Sequence, residues 1–218
     1  MTIAEAPAGP VPRTYRVREL LRDLGRLVSR FPSLWSIWAR ARLPRALREQ
    51  IIVAVAQVNA CRMCEHAHTR MALQAGVSDA DLAALANMDE SAFDRTTWLA
   101  IAHARERVKA DFIDVEPTEQ RAALVRAIGQ QTYLDVEDIA RAMTVANRIA
   151  NTLNALPDRW RGHPVPGSRL LDELVINFLF LPGAWIGTLI ASARQKKSPL
   201  AVWRQARGSR ILDRTRAE

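Results

Sequence analysis

Eleven consecutive residues, Gln50 to Ala60 (QIIVAVAQVNA), carry no charge and are apolar on every side of a helix. Such a helix has no face to offer water, so it belongs inside a core with other elements packed around it. The residues flanking it are the chemically distinctive ones. Glu49 stands immediately before it, and Cys61 and Cys64, the only two cysteines of the chain, stand just after, followed by His66 and His68.

Asn59 and Ala60 can form a corner, after which a second helix runs from Cys61 to Gly76, a natural C-cap. At about 100° per residue, Cys61, Cys64 and His68 fall within an arc of roughly 60° on that helix. If the two helices fold back antiparallel, a rise of about 1.5 Å per residue puts Glu49 about 15 Å from the corner and His68 about 10 Å from it. Glu49 is then nearer His68 than Cys61, which gives the order carboxylate, imidazole, thiol, the order of a proton relay. The thiols begin the helix, where unpaired N–H groups and the positive end of the macrodipole favour an anion. A free thiol titrates near pH ~8.5, and a helix N-terminus beside an imidazole lowers that value. At least one reactive thiolate is expected, with the second thiol close enough to form a disulfide. Position alone favours Cys61, nearer the helix end, as the nucleophile.

The pattern Glu49, Cys61, Cys64, His68 resembles the Glu…Cys-x-x-Cys-x-x-x-His signature of the AhpD-like alkyl hydroperoxidases, within the carboxymuconolactone decarboxylase family. The likeness runs from about Leu43 to Leu156 and includes the Gly76-Val77-Ser78-Asp79 step and the segment Ala146-Asn147-Arg148-Ile149-Ala150-Asn151. It implies an all-helical, homo-oligomeric domain that reduces hydroperoxides or disulfides. By the same likeness Cys64 takes the peroxide oxygen as a sulfenic acid, and Cys61 gives a proton to the leaving oxygen and then resolves Cys64 as a disulfide. His68 and Glu49 serve as relay, and a dithiol carrier of lipoyl or thioredoxin type returns the electrons. Two departures stand out. Arg62 and Met63 fill positions where the best-known members have a different pair that includes a histidine, and His66 is additional and lies off the thiol face. No cofactor site is assigned. The decarboxylase branch of the family lacks the cysteine pair, which argues against lactone decarboxylation.

With 218 residues, 49% of them hydrophobic, the chain can bury one sizeable helical core plus an appendage. The net charge of +8 raises nucleic acid or an anionic membrane as partners, but after Ala193 there are eight Lys or Arg and two acids, so that tail alone supplies +6. It lacks the aromatic interleaving of single-strand binders, and no nucleic-acid partner is expected. No charged n-region and apolar h-region open the chain, and two cysteines three apart cannot staple distant parts of a fold. A cytoplasmic setting fits such a pair.

The expected organisation is a flexible lead over 1–14, a helical domain over 15–158, and a linker with a C-terminal helical extension over 159–218. Arg16 to Arg30 reads as an amphipathic helix, and Ser33 to Arg42 as a short helix whose Trp35 and Trp38 face the core, with a membrane-interface or partner surface as the alternative. Ser78 to Asp81 reads as a capping-box start, followed by helices over 91–110, 117–128 and 135–156. No strand alternation is present, so the core reads all-α. His103, among Arg105, Glu106 and Arg107, is expected at the surface, and His163 lies in a Pro/Gly-rich connector. Leu174 to Ala193 is twenty uncharged residues, long enough to span a bilayer. Asn177, the Pro182-Gly183 break and the downstream basic flank favour instead a packed or interfacial helical hairpin turning near Pro182, with membrane association through 174–193 as the alternative.

Two readings compete with the redox enzyme. The first is a structural or regulatory zinc site on Cys61, Cys64, His68 and Glu49 or His66, in which three ligands on one helix make a closed tetrahedron awkward. The second is a non-catalytic membrane-associated protein acting through its basic tail. Covalent haem attachment needs histidine directly after the second cysteine, where Glu65 stands.

Overall fold

The structure is a computed structural model that describes residues 10–113 and 118–208. It contains ten α-helices and no strand among those residues: α1 Val17–Ser29, α2 Phe31–Ala39, α3 Arg45–Val58, α4 Arg62–Gln74, α5 Asp79–Asn87, α6 Arg95–Lys109, α7 Thr118–Ile128, α8 Gln130–Trp160, α9 Leu170–Gln195 and α10 Pro199–Gly208. A single 3-10 turn, Glu90–Ala92, precedes α6. The all-α architecture expected from the sequence is the one found.

α3 is the central rod. Every residue from Glu49 to Ala56 is buried, because α4, α6 and α8 surround it. Ile51, Ile52, Val53 and Val55 meet Ile37 of α2, Leu85 of α5, Ile101 and Val108 of α6, and Val136 and Ile139 of α8 in one apolar cluster. Burying a side chain of this size contributes about 1.5–3 kcal/mol, and this is the largest of the apolar clusters among the described residues.

The corner between α3 and α4 is held by polar groups. Ala60 takes a left-handed conformation at φ 51°, and the Cys61 N–H donates to the Ala56 carbonyl at 2.9 Å. Asn59, fully buried, donates through Nδ2 to the Val55 carbonyl and to Thr144 Oγ1 of α8. Its own carbonyl accepts from Asn151 Nδ2 at 2.8 Å and from the Arg13 N–H at 3.2 Å. The corner is thus fixed to α8 on one side and to the N-terminal segment on the other. That segment is held in turn by the Tyr15 N–H, which donates to Thr152 Oγ1 at 2.9 Å; residues 1–9 lie outside the described range.

α4 ends as expected. Gly76 at φ 91° lets the Val77 N–H reach the Ala72 carbonyl and its own N–H reach that of Leu73, a Schellman arrangement in which the absent Cβ removes the left-handed penalty. Ser78 and Asp81 then cap α5 reciprocally, at 3.0 and 3.1 Å.

Two expectations are corrected. Trp35 and Trp38 do not face the core: they are 62% and 42% exposed, and Ile37 at 0%, with half-buried Leu34, makes the inward contact. Both pairs are three apart, so the helical spacing was right and the inward stripe is the aliphatic one. The hairpin near Pro182 is also absent, since α9 runs unbroken from Leu170 to Gln195. Proline removes one ladder hydrogen bond, but α9 is anchored along α8 before it reaches that point. Arg159 donates from Nε and Nη2 to both oxygens of the fully buried Glu173, each at 2.8 Å. Ile176, Phe180, Leu181 and Ala184 then pack with Leu153 and Val145. By length and composition α9 is the one helix among the described residues able to cross a membrane, and most of it is not buried within the chain.

Candidate redox site on the α3–α4 hairpin

Glu49 sits in the second turn of α3, 5% exposed, and the α3–α4 fold-back brings it to the middle of α4. Its Oε2 is 2.8 Å from Nδ1 of His68. An ionised carboxylate only accepts, so this contact assigns the proton to Nδ1 and leaves Nε2 as the basic nitrogen of the neutral imidazole. The order carboxylate, imidazole, thiol drawn from helical rise therefore agrees with the geometry at its first step. Along α4, His68 follows Cys64 by one turn, on the same face.

Cys61 is the N-cap of α4 and Cys64 lies in its first turn, and the two are joined in a disulfide with their Cα atoms 5.3 Å apart. Cys61 is buried at 1% exposure, whereas Cys64 is half-buried. No group of three His, Cys, Asp or Glu side chains among the described residues is arranged to hold a metal.

Residues that the sequence pattern did not single out complete the surroundings. Arg48 lies 3.9 Å from the other carboxylate oxygen of Glu49, and its guanidinium rests 5.8 Å from the Trp38 ring centre. On the opposite side, Arg105 of α6 donates to Gln57 Oε1 at 2.9 Å, and Gln57 donates to Glu65 Oε1 at 3.1 Å. Glu65 also binds the corner through its N–H, which donates to the Cys61 carbonyl at 2.9 Å. Burial pushes the Arg105 guanidinium below its ordinary value, with the charges of Glu106 and Glu65 opposing the shift. A neighbour of the cysteine carrying a carboxylate is visible in the sequence, but the arginine that reaches it through Gln57 comes from a helix forty residues away.

The other histidines divide. His66 is off the thiol face, as expected, and is buried; desolvation, then the nearby Arg70 charge, holds it below its ordinary value. His163 is exposed. His103 corrects the expectation of a surface residue: it is 7% exposed, and its Nε2 is 2.9 Å from Glu137 Oε1. Arg107 donates to the same oxygen at 2.7 Å and Arg141 to the other at 3.3 Å. These charged residues looked like a solvated face because their partner, Glu137, lies on α8, thirty or more residues on. Burial raises the Glu137 carboxyl, but the His103 hydrogen bond and the Arg107 charge outweigh it and leave the group below its ordinary 4.5. A depressed folded-state value means that the carboxylate stabilises the fold above pH 4.5 and loses that contribution as pH falls through the lower value. The wild-type chain is therefore expected to lose stability below pH 4.5 more steeply than Glu137→Gln, as measured by urea unfolding across the acid range.

No curated protein and no solved structure matches the chain. A family model matches residues 30–106, from the end of α1 into α6, and that stretch contains Glu49, Cys61, Cys64 and His68. The segment carrying the sulfur pair thus matches the model of the carboxymuconolactone decarboxylase family, which includes AhpD-like proteins.

Proposed function

We propose that the chain is a thiol-dependent peroxidase whose redox centre is Cys61–Cys64, served by His68 and Glu49. The observation that carries this reading is the 2.8 Å contact between Glu49 and His68 on the helix that holds the disulfide. A structural disulfide has no use for an oriented imidazole; a sulfur that must gain and lose protons does.

In the reduced enzyme the Cys64 thiolate attacks the terminal oxygen of a hydroperoxide. The O–O bond breaks, an S–O bond forms, and the alkoxide leaves as an alcohol after taking one proton through the relay. Cys61 then attacks the Cys64 sulfenic acid, closing the disulfide and releasing water. A dithiol carrier attacks the disulfide, and exchange returns both thiols while the carrier becomes a disulfide. The burial difference supports Cys64 as the sulfur that meets substrate and Cys61 as the resolving one. Helix position alone had favoured the reverse, but the N-cap that stabilises an anion at Cys61 is also the corner sealed by Asn59. The dithiol carrier of lipoyl or thioredoxin type, a homo-oligomeric assembly and a cytoplasmic setting belong to the same proposal.

The test is peroxide consumption by the full chain supplied in turn with a dihydrolipoyl carrier and with thioredoxin. Multiple turnovers with at least one dithiol are expected. A Cys61–Cys64 pair that no dithiol reduces, or a reduced pair that ignores hydroperoxides, would sink the reading.

A further inference from the structure

α10 and the second half of α9 lie beside α4 and enclose a cleft of about 800 Å³. On α4 its wall is Met63, Ala67, Arg70 and Gln74, a stripe about a third of a turn from the one that carries Cys64 and His68. Opposite stand residues of α9, among them Gly187 and Ile190, and the Trp203 ring of α10 closes the side. That ring is fixed by stacking on Trp185, with centroids 5.7 Å apart and planes 7° from parallel.

The lining is chemically one-sided. Three cations, Arg70, Arg194 and Lys197, border the cleft, and no carboxylate does among the described residues. Arg194 and Lys197 are exposed at its mouth, whereas Arg70 is half-buried and reaches across to Gln195 Oε1 at 3.3 Å. Below them the walls are mostly apolar. Along α4 the cleft runs from Met63 to Gln74, about 16 Å at 1.5 Å per residue. Its volume is within the range of about 300–1,000 Å³ typical of small-molecule sites. Cations over low-dielectric walls focus a field that favours an anion, and an apolar trough below them favours a chain without polar groups.

We propose that this cleft binds a single-chain anionic amphiphile, an alkyl chain with one carboxylate. The head group sits at Arg70, Arg194 and Lys197, and the chain lies between α4 and α9 along Met71, Ile190 and Trp203. His66, which also borders the cleft, is held below its ordinary value by burial and then by the Arg70 charge. The same anionic chemistry could reach the cleft from a free carboxylate or from a lipid in a bilayer. The outward apolar residues of α9, such as Phe178 and Ile186, do not line it. The cleft site stands whether or not the sulfur pair turns over peroxide.

Calorimetric titration of the full chain with dodecanoate below its micellar concentration tests this. Saturable binding at one site is expected, weakening about fourfold for each methylene removed. Dodecanol and dodecyltrimethylammonium are expected to bind at least tenfold more weakly. At Gly187 an added Cβ meets nothing within 4 Å, so Gly187→Leu grows into open cleft and favours the helix it sits in. It should cut dodecanoate affinity at least tenfold with the thermal midpoint unchanged or raised. Arg70→Gln should cut dodecanoate affinity about tenfold and leave dodecanol binding alone. Equal affinity for dodecanoate and dodecanol overturns the proposal, as does unaltered binding in both variants or no binding by the wild type. Binding to phosphatidylglycerol vesicles without binding of monomeric dodecanoate also overturns it, and places the anion preference on a membrane surface instead.

Discussion

Cys64→Ser is expected to consume no hydroperoxide, whereas Cys61→Ser should react once per chain and then stop. The two variants differ because the sulfurs are unequally placed on one helical turn. Cys64 is half-buried and Cys61 is sealed in the corner. A serine oxygen at 64 cannot be drawn to a usable anion near neutral pH, so the S–O bond that begins the cycle has no counterpart. A serine at 61 leaves that first step intact but removes the sulfur that would condense with the sulfenic acid. Cys61→Ser should therefore accumulate Cys64 sulfenic acid, trapped by dimedone and seen as one adduct by mass spectrometry, with a burst of one peroxide per chain. Full turnover by Cys64→Ser would overturn the assignment, and a burst in Cys64→Ser with none in Cys61→Ser would reverse the roles. Either result separates the identity of the attacking sulfur from the question of whether the pair reacts at all.

What was legible in the sequence was whatever depends on residues close together along the chain. The absence of charge from Gln50 to Ala60 placed α3 inside the core, since no neighbour could make such a helix stable in water. Helical rise, given an antiparallel fold-back, put Glu49 nearer to His68 than to Cys61, and the tight corner brings the two into contact. The Ser78 box and the Gly76 cap were equally local. What failed depended on partners far away. His103 and Arg107 looked like surface residues because Glu137, which neutralises them in the interior, is on another helix. Trp35 and Trp38 looked like core because aromatic area was weighed without knowing which stripe of α2 meets α3 and α8. Pro182 looked like a turn because the Arg159–Glu173 pair that ties α9 to α8 cannot be inferred from either residue's surroundings. The Arg105–Gln57–Glu65 chain beside the cysteines escaped notice for the same reason.

Glu49→Gln and His68→Asn are each expected to slow peroxide turnover by about 10²-fold, the usual cost of losing a positioned general acid or base. The amide oxygen of a glutamine can still accept from Nδ1, so Glu49→Gln keeps the imidazole oriented and removes only the charge that stabilises its protonated form. His68→Asn removes the proton carrier itself. Because Glu49 acts only through His68, the double variant should be scarcely slower than His68→Asn alone, an extreme departure from additivity that residues working as one unit produce. Arg48 sets a condition on the measurement. Its guanidinium is 3.9 Å from Glu49 and only 11% of its side chain is exposed, so neutralising the carboxylate leaves a nearly buried cation without its closest anion. Urea unfolding of Glu49→Gln, and of Glu49→Gln with Arg48→Met, separates that loss of stability from loss of chemistry: Arg48→Met should restore stability without restoring turnover. If the Glu49→Gln and His68→Asn effects multiplied in full, the carboxylate would have to act on the sulfurs by a route that bypasses the imidazole, and the 2.8 Å contact would be structural only.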